Sequence, residues 1–167
     1  RHIWAVIRCD AGPEHFGSEC VDSDLDPILK FAPDGNVVES FGSGMFIWPH
    51  GIDVDSDGNV WVTDAVSDNN IPAGDDRGHQ VIKFSPTGEV LMTFGTPGEE
   101  GDGPNHFSSP SDVAVASNGD VFIADGHNAA GNNRVMKYNS RGEFLMSWGE
   151  TGYAPGQFRV LHAIALH

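Results

Sequence analysis

The sequence predicts an all-β fold, and three observations lead to that prediction. The chain contains 21 glycines and 10 prolines among 167 residues, a composition that indicates many turns. Short runs such as 60–62 (VWV) and 121–123 (VFI) are β-branched and aromatic, as buried strands prefer. No stretch of ten or more residues shows the apolar period of about 3.6 residues that a helix requires. Strands joined by turns are therefore expected throughout.

An internal repeat sets the order of these strands. The segment ILKFAPDGNVVESFG (28–42) recurs as VIKFSPTGEVLMTFG (81–95) and as VMKYNSRGEFLMSWG (135–149). A second segment alternates with it, PHGIDVDSDGNVWVTDA (49–65), which recurs as PSDVAVASNGDVFIADG (110–126). The final LHAIALH (161–167) is similar to the opening of a third copy. Each segment has two apolar runs around a glycine-containing turn, which predicts a β-hairpin.

Two hairpins in each period of about 50 residues predict a four-stranded sheet, the size of one β-propeller blade. We therefore predict a partial propeller domain over 1–167, covering about three blades, with repeat units near 28–65, 81–126 and 135–167. A closed ring takes at least about four blades. A fragment or a processed chain is therefore expected, with the remaining blades supplied by sequence outside this chain or by another chain.

Charge and cysteine content narrow the function classes. The formal net charge of -15 repels phosphate backbones, so nucleic acid is not an expected partner. No apolar run approaches the roughly 18 residues of a membrane span, and none is expected. The two cysteines, Cys9 and Cys20, leave a disulfide and two free thiols equally open. A disulfide would indicate an oxidising compartment.

The repeats resemble NHL repeats, most clearly in KFSPTGEVLMTFG and PSDVAVASNGDVFIAD. Four longer strings, in the same order, resemble the catalytic propeller of the peptidyl-α-hydroxyglycine α-amidating lyases: WPHGIDVDSDGNVWVTDA, HQVIKFSPTGEVLMTFG, NHFSSPSDVAVASNGDVFIADG and PGQFRVLHAIAL. The resemblance implies an NHL-type propeller of six blades. It also implies a carbon–nitrogen lyase that acts on a small molecule or a peptide C-terminus, releasing an amide and an aldehyde (glyoxylate), in an extracytoplasmic or secreted setting.

The repeat relates two histidines to each other. His50 follows Pro49, and the corresponding positions in the next two copies are Ser111 and His162. Equivalent positions on successive blades surround the central channel, so His50 and His162 are expected two blades apart and facing one point. Three imidazoles with an open fourth position form a catalytic zinc site. The resemblance implies that His50 and His162 are two such ligands, with a third ligand beyond this chain. Rim histidines that bond to neighbouring backbone are the alternative.

Three further residues are singled out by the resemblance. It implies that Arg8 is an active-site arginine, for which a surface salt bridge is the alternative. It implies a structural calcium at the backbone carbonyl of Ile52. His127 stands where the family has tyrosine. It is therefore expected to carry protons in place of that tyrosine or to become an additional ligand, while a changed substrate or lost activity is the alternative. Trp48, Trp61 and Trp148, by contrast, are expected in the core.

Two functions of other classes compete with a lyase. One is a non-catalytic NHL propeller that serves as a protein- or ligand-binding platform. The other is a calcium-dependent, lactonase-like hydrolase. The lining of the channel distinguishes them, because converging histidines favour the lyase and converging carboxylates and amides favour the hydrolase. A platform requires no converging ligands.

Overall fold

The computed structural model describes residues 1–9, 16–67 and 70–167. Its regular elements over these residues are eleven strands in three antiparallel sheets, which confirms the predicted all-β fold and the count of about three blades. None of these residues belongs to a helix long and apolar enough to cross a membrane.

Each sheet is a meander of consecutive strands. The first contains β1 (Ile3–Val6), β2 (Ile28–Phe31) and β3 (Val37–Phe41). The second contains β4 (Pro49–Val54), β5 (Val60–Asp64), β6 (Gln80–Phe84) and β7 (Val90–Phe94). The third contains β8 (Pro110–Val115), β9 (Val121–Asp125), β10 (Arg134–Tyr138) and β11 (Phe144–Trp148).

The boundaries between the sheets do not coincide with the boundaries of the repeat units in the sequence. The unit 28–65 contributes β2 and β3 to the first sheet but β4 and β5 to the second. A repeat defines the period of a fold, whereas only strand pairing shows where a sheet begins. Here each four-stranded sheet begins with the copy whose first strand opens at Pro49 or Pro110.

The hydrophobic core lies between successive sheets. One cluster joins the first two sheets and includes Ile28, Val60 and Phe84, all fully buried. A larger cluster joins the second and third sheets through residues of both: Trp61, Val81, Phe94, Phe107, Val113, Val121, Ile123, Met136 and Tyr138. Burial of these side chains at about 25 cal/mol per Å² of apolar surface is the main term that holds the sheets face to face.

The edge strands β4 and β8 approach each other closely and define the inner side of the sheets. A Cβ atom on Gly51 would lie 2.6 Å from the Cα atom of Asp112, so only glycine allows this approach. The Asp53 carboxylate accepts a 2.7 Å hydrogen bond from the Val115 amide, and the Asp112 carboxylate accepts a 2.9 Å bond from the Ile164 amide. Residues 161–167 therefore lie against β8 as β8 lies against β4, although they have no ladder partner among the described residues.

Candidate metal centre

His50 is the second residue of β4, on the inner side of the second sheet. Its Nδ1 atom lies 2.8 Å from the carbonyl oxygen of Ser111. Because a carbonyl only accepts hydrogen bonds, Nδ1 carries the proton and donates, which leaves a lone pair on Nε2. Nε2 is buried and has no hydrogen-bond partner among the described residues. Its lone pair is thus available to a ligand.

His162 lies in the segment that follows the third sheet, and three contacts fix that segment. The Leu161 amide donates to Asn133 Oδ1 (3.2 Å), and the Leu161 carbonyl accepts from the Ser111 hydroxyl (2.7 Å). The Ile164 amide is bonded to Asp112, as described above. The backbone is thus held on both sides of His162, whose side chain is exposed in this chain.

His127 follows the end of β9 by two residues. Its amide donates a 3.0 Å hydrogen bond to the Ser109 carbonyl, and the Gly126 amide lies 3.3 Å from the same oxygen. A Cβ atom on Gly126 would lie 3.0 Å from both the Asn133 Cα and the Leu161 Cβ atoms. The loop that carries His127 is therefore packed tightly against the segment that carries His162.

The three imidazoles converge on one point. Their ring centroids are 4.5 Å apart for His50 and His127, 4.8 Å for His127 and His162, and 4.9 Å for His50 and His162. The planes cross at 55° to 63°, so the rings meet at their edges instead of stacking. One nitrogen from each ring lies within 4.8 Å of the others. These three residues can hold a metal ion together.

Trp48 connects this cluster to Arg8. The guanidinium carbon of Arg8 lies 4.3 Å from the centroid of the Trp48 ring, a cation–π contact. The same indole makes edge contacts with His127 (4.7 Å between centroids) and His50 (5.4 Å). Trp48 and Trp61 are buried, as the sequence predicts, but the prediction is wrong for Trp148, which is 40% exposed because β11 is an edge strand. Trp48 packs against the histidines. The structure thus brings Arg8 and all three histidines around one indole.

A disulfide fixes the chain next to Arg8. Cys9 is bonded to Cys20, which decides between the two states that the sequence leaves open. Cys20 is buried, and its amide donates a 3.1 Å hydrogen bond to the Ile47 carbonyl. The residue that follows Arg8 is therefore tied to the residue that precedes Trp48.

Ile52 lies apart from these contacts. It is half-buried in β4, pairs with Val62 across the ladder and packs against the cluster between the first two sheets. Calcium at its backbone carbonyl stays a prediction.

Burial sets the protonation of the cluster. Desolvation, with smaller contributions from Arg8 and His162, lowers the pKa of His50 to about 4, and desolvation with the neighbouring histidines lowers the pKa of His127 to about 4. Both rings are therefore neutral near pH 7, the form in which imidazole binds metals. Asp64 is fully buried, and its carboxylate accepts from the Ile47 and Trp48 amides, yet desolvation raises its pKa to about 6.

Comparisons with known proteins agree with the repeat. The NHL repeat model matches residues 46–71 and 107–138. Peptidyl-glycine alpha-amidating monooxygenase from Mus musculus is 37% identical over 99% of this chain. A probable peptidyl-alpha-hydroxyglycine alpha-amidating lyase from Caenorhabditis elegans is 35% identical over 83% of it, and NHL repeat-containing protein 3 from Homo sapiens is 32% identical over 86%.

The chain contains NHL repeats and resembles the peptidyl-α-hydroxyglycine α-amidating lyases. It spans 16% of the mouse protein, 37% of the worm protein and 40% of the human protein. The likeness to the worm lyase thus covers most of this NHL-repeat chain and a minority of that relative.

Two residues of this NHL-repeat chain orient the site and were not singled out for that role by the sequence. Ser111 occupies the repeat position of His50 and His162, and its carbonyl and hydroxyl contact the segments that carry both. Asn133 is fully buried, accepts from the Leu161 amide and donates to the Asn128 carbonyl. The repeat alignment gives a signal for Ser111, since a small polar residue replaces histidine there. No comparable signal marks Asn133.

The lowered pKa values predict an acid sensitivity of the metal-free protein. Between about pH 4 and 6.5, His50 and His127 are protonated in the unfolded chain but neutral in the folded chain. The free energy of unfolding therefore has its full value above pH 6.5 and decreases as the pH falls towards 4. Relative to a His50→Gln/His127→Gln double variant, the wild type should lose about 2 kcal/mol between pH 7 and 4.5, after allowance for partial exposure of both rings.

Urea denaturation with a chelator present, at both pH values, measures this difference. His2→Gln is the control, because His2 is exposed and lies outside the cluster. An unchanged gap between the wild type and the double variant at the two pH values would contradict the prediction.

Proposed function

We propose that this chain forms part of a zinc-dependent lyase that cleaves α-hydroxyglycine-type N-acyl carbinolamides to an amide and an aldehyde, glyoxylate when the substrate carries a carboxylate. The observation that supports the proposal most directly is the convergence of His50, His127 and His162 beside Arg8. Converging histidines are the lining expected of a lyase, as distinct from a calcium hydrolase or a binding platform. The names of the amidating-lyase relatives suggest the reaction.

The residues present fit a zinc ion. Zinc accepts neutral imidazole nitrogens, and a ligand histidine commonly donates its other ring N–H to a carbonyl, which fixes the tautomer. His50 has this arrangement, with Nδ1–H on the Ser111 carbonyl and a buried, unpartnered Nε2. We propose His50 and His162 as ligands. When bound, zinc would lower the pKa of a coordinated hydroxyl group or water.

Arg8 suggests the charge of the substrate. A guanidinium near a metal site places two positively charged groups close together, and an anion between them relieves the repulsion. A carboxylate suits this position because the guanidinium binds it through two parallel hydrogen bonds. We propose that Arg8 anchors the carboxylate of an α-hydroxyglycine-type substrate, at the C-terminus of a peptide or in a small molecule.

The reaction balances without an external oxidant or reductant. The substrate hydroxyl loses its proton, its oxygen forms a carbonyl double bond with the α-carbon, and the bond from that carbon to the amide nitrogen breaks. The nitrogen takes up a proton, so the products are a primary amide and an aldehyde. On the sequence alone this proton transfer is assigned to His127, which stands where the family has tyrosine.

Two accompanying proposals concern the setting of the site. We propose a structural calcium at the Ile52 carbonyl, on the family resemblance. We also propose an extracytoplasmic or secreted location, which the Cys9–Cys20 disulfide supports because disulfides persist in oxidising compartments.

Elemental analysis and an activity assay on the full-length protein test the proposal. We expect about one zinc ion per chain at this centre and release of glyoxylate from α-hydroxyhippurate. Both should be lost in His50→Ala and in His162→Ala and kept in the His2→Ala control. Zinc binding without any glyoxylate release would refute the lyase reaction and leave the metal site standing.

A further inference from the structure

We propose that His127 is itself a metal ligand, so that three histidines of this one chain, His50, His127 and His162, hold the ion. This inference rests on the proposed metal site and chooses between the two roles that the sequence leaves open for His127, proton transfer and metal ligation. It departs from the expectation that the third ligand lies beyond this chain. The structure places His127 as close to each of the other two rings as they are to each other.

The near-equilateral arrangement is what a shared ion requires. An ion about 2.0–2.1 Å from each imidazole nitrogen needs those nitrogens roughly 3.4 Å apart. The ligand atoms already lie within 4.8 Å of one another. Side-chain rotation that moves each nitrogen by about an ångström or less would therefore close the set, with no change in the backbone.

The backbone around His127 does not allow the ring to be carried away from the cluster. Its amide is bonded to the Ser109 carbonyl, and Gly126 is packed against Asn133 and Leu161 at distances that leave little room for a side chain. The ring itself contacts Trp48 at 4.7 Å, in a nearly perpendicular arrangement. The fold therefore holds this imidazole against His50 and His162.

The histidine cluster lowers the stability of the fold unless a ligand binds the unpartnered nitrogen of His50. A buried polar atom with no hydrogen bond costs about 1–3 kcal/mol, and His50 Nε2 is such an atom. The rings of His127 and His162, the neighbours of His50 on this side, both bring a further nitrogen close to it. A metal ion satisfies all three lone pairs at once.

Zinc titration of the metal-free full-length protein tests the role of His127 without reference to activity. We expect His127→Ala to weaken zinc binding by more than about 100-fold, as much as His50→Ala, since loss of a ligand exceeds the 10–100-fold cost of losing an outer partner. His127→Phe keeps an aromatic ring against Trp48 but has no nitrogen, so it should weaken binding equally. His2→Ala should bind as the wild type does.

Cobalt substitution provides the second measurement. The visible absorption of the Co²⁺ protein reports the ligand set, so His127→Phe should change the spectrum while its circular dichroism stays that of the folded wild type. Wild-type zinc affinity in both His127 variants would overturn this inference alone and return His127 to proton transfer. Failure of the wild type to bind zinc or cobalt would overturn the proposed metal site and this inference together.

Discussion

Arg8→Ala is expected to lower kcat/KM for a carboxylate-bearing carbinolamide by about 10²–10³-fold, within the usual cost of leaving one partner of a hydrogen-bonded charge pair without the other. The guanidinium lies on the Trp48 ring, which in turn contacts His50 and His127. The variant removes the positive charge but keeps the histidines. Its zinc content should therefore equal that of the wild type, and the loss should appear in the assay of glyoxylate release.

Two matched comparisons separate anchoring of the carboxylate from a general effect on the fold. Arg8→Lys keeps the charge but not the two-pronged, planar geometry, so it should recover only part of the lost rate. A substrate analogue with a neutral amide in place of the carboxylate should be turned over about equally by the wild type and by Arg8→Ala. Equal losses on the charged and the neutral substrates would show that Arg8 does not bind the carboxylate.

The fold could be predicted because the sequence contains at least two copies of each hairpin segment. Each hairpin has its own alternating apolar runs and glycine turn, as in the turn between β4 and β5, where Gly58 has a φ of 85°. These signals are local, and they recur at a constant period. The start of each sheet was not predictable, since it depends on which edges pair in space. The Cys9–Cys20 bond likewise depends on distance in the fold.

The residues of the site that occupy equivalent positions in the repeat could be predicted from the sequence. His50 and His162 occupy one repeat position, and the structure places their rings 4.9 Å apart. His127 was singled out by the family resemblance, but its similar distance from both rings is visible only in three dimensions. The contacts of Trp48 with Arg8 and the histidines could not be predicted. The local sequence indicates that a side chain is buried, but it does not show which functional groups that side chain contacts.

Asp125→Ala is expected to destabilise the protein by about 3–5 kcal/mol, since it leaves a largely buried guanidinium without its counter-ion. Asp125 is fully buried at the end of β9, and burial raises its pKa even though its carboxylate accepts from the Ser108 amide (2.6 Å) and Asn132 (2.7 Å). Arg134, whose side chain is 13% exposed, lies 3.0 Å from the same carboxylate. Urea denaturation at pH 7 measures the loss.

The exposed pair of Arg141 and Glu143 provides the control for this prediction. Glu143→Gln removes a charge of the same sign from a solvated ion pair, so it should leave the unfolding free energy nearly unchanged. Asp125→Asn keeps an acceptor for the Ser108 amide and should fall between the two. If Asp125→Ala lowered the unfolding free energy no more than the control does, the backbone carbonyls that accept hydrogen bonds from Arg134 would be sufficient to stabilise its guanidinium.

The same variant connects stability to the metal site. The Asp125 carboxylate fixes the Ser108 amide, and the next residue, Ser109, supplies the carbonyl that holds the His127 amide. Asp64 makes the corresponding contacts in the second sheet, where it fixes the backbone directly before Pro49 and His50. In the absence of urea, where the Asp125→Ala protein remains folded, the zinc affinity of this variant should therefore be lower than that of the wild type. The Glu143→Gln variant should bind zinc as the wild type does. A folded Asp125→Ala protein with unchanged zinc affinity would separate the buried carboxylate from the positioning of His127.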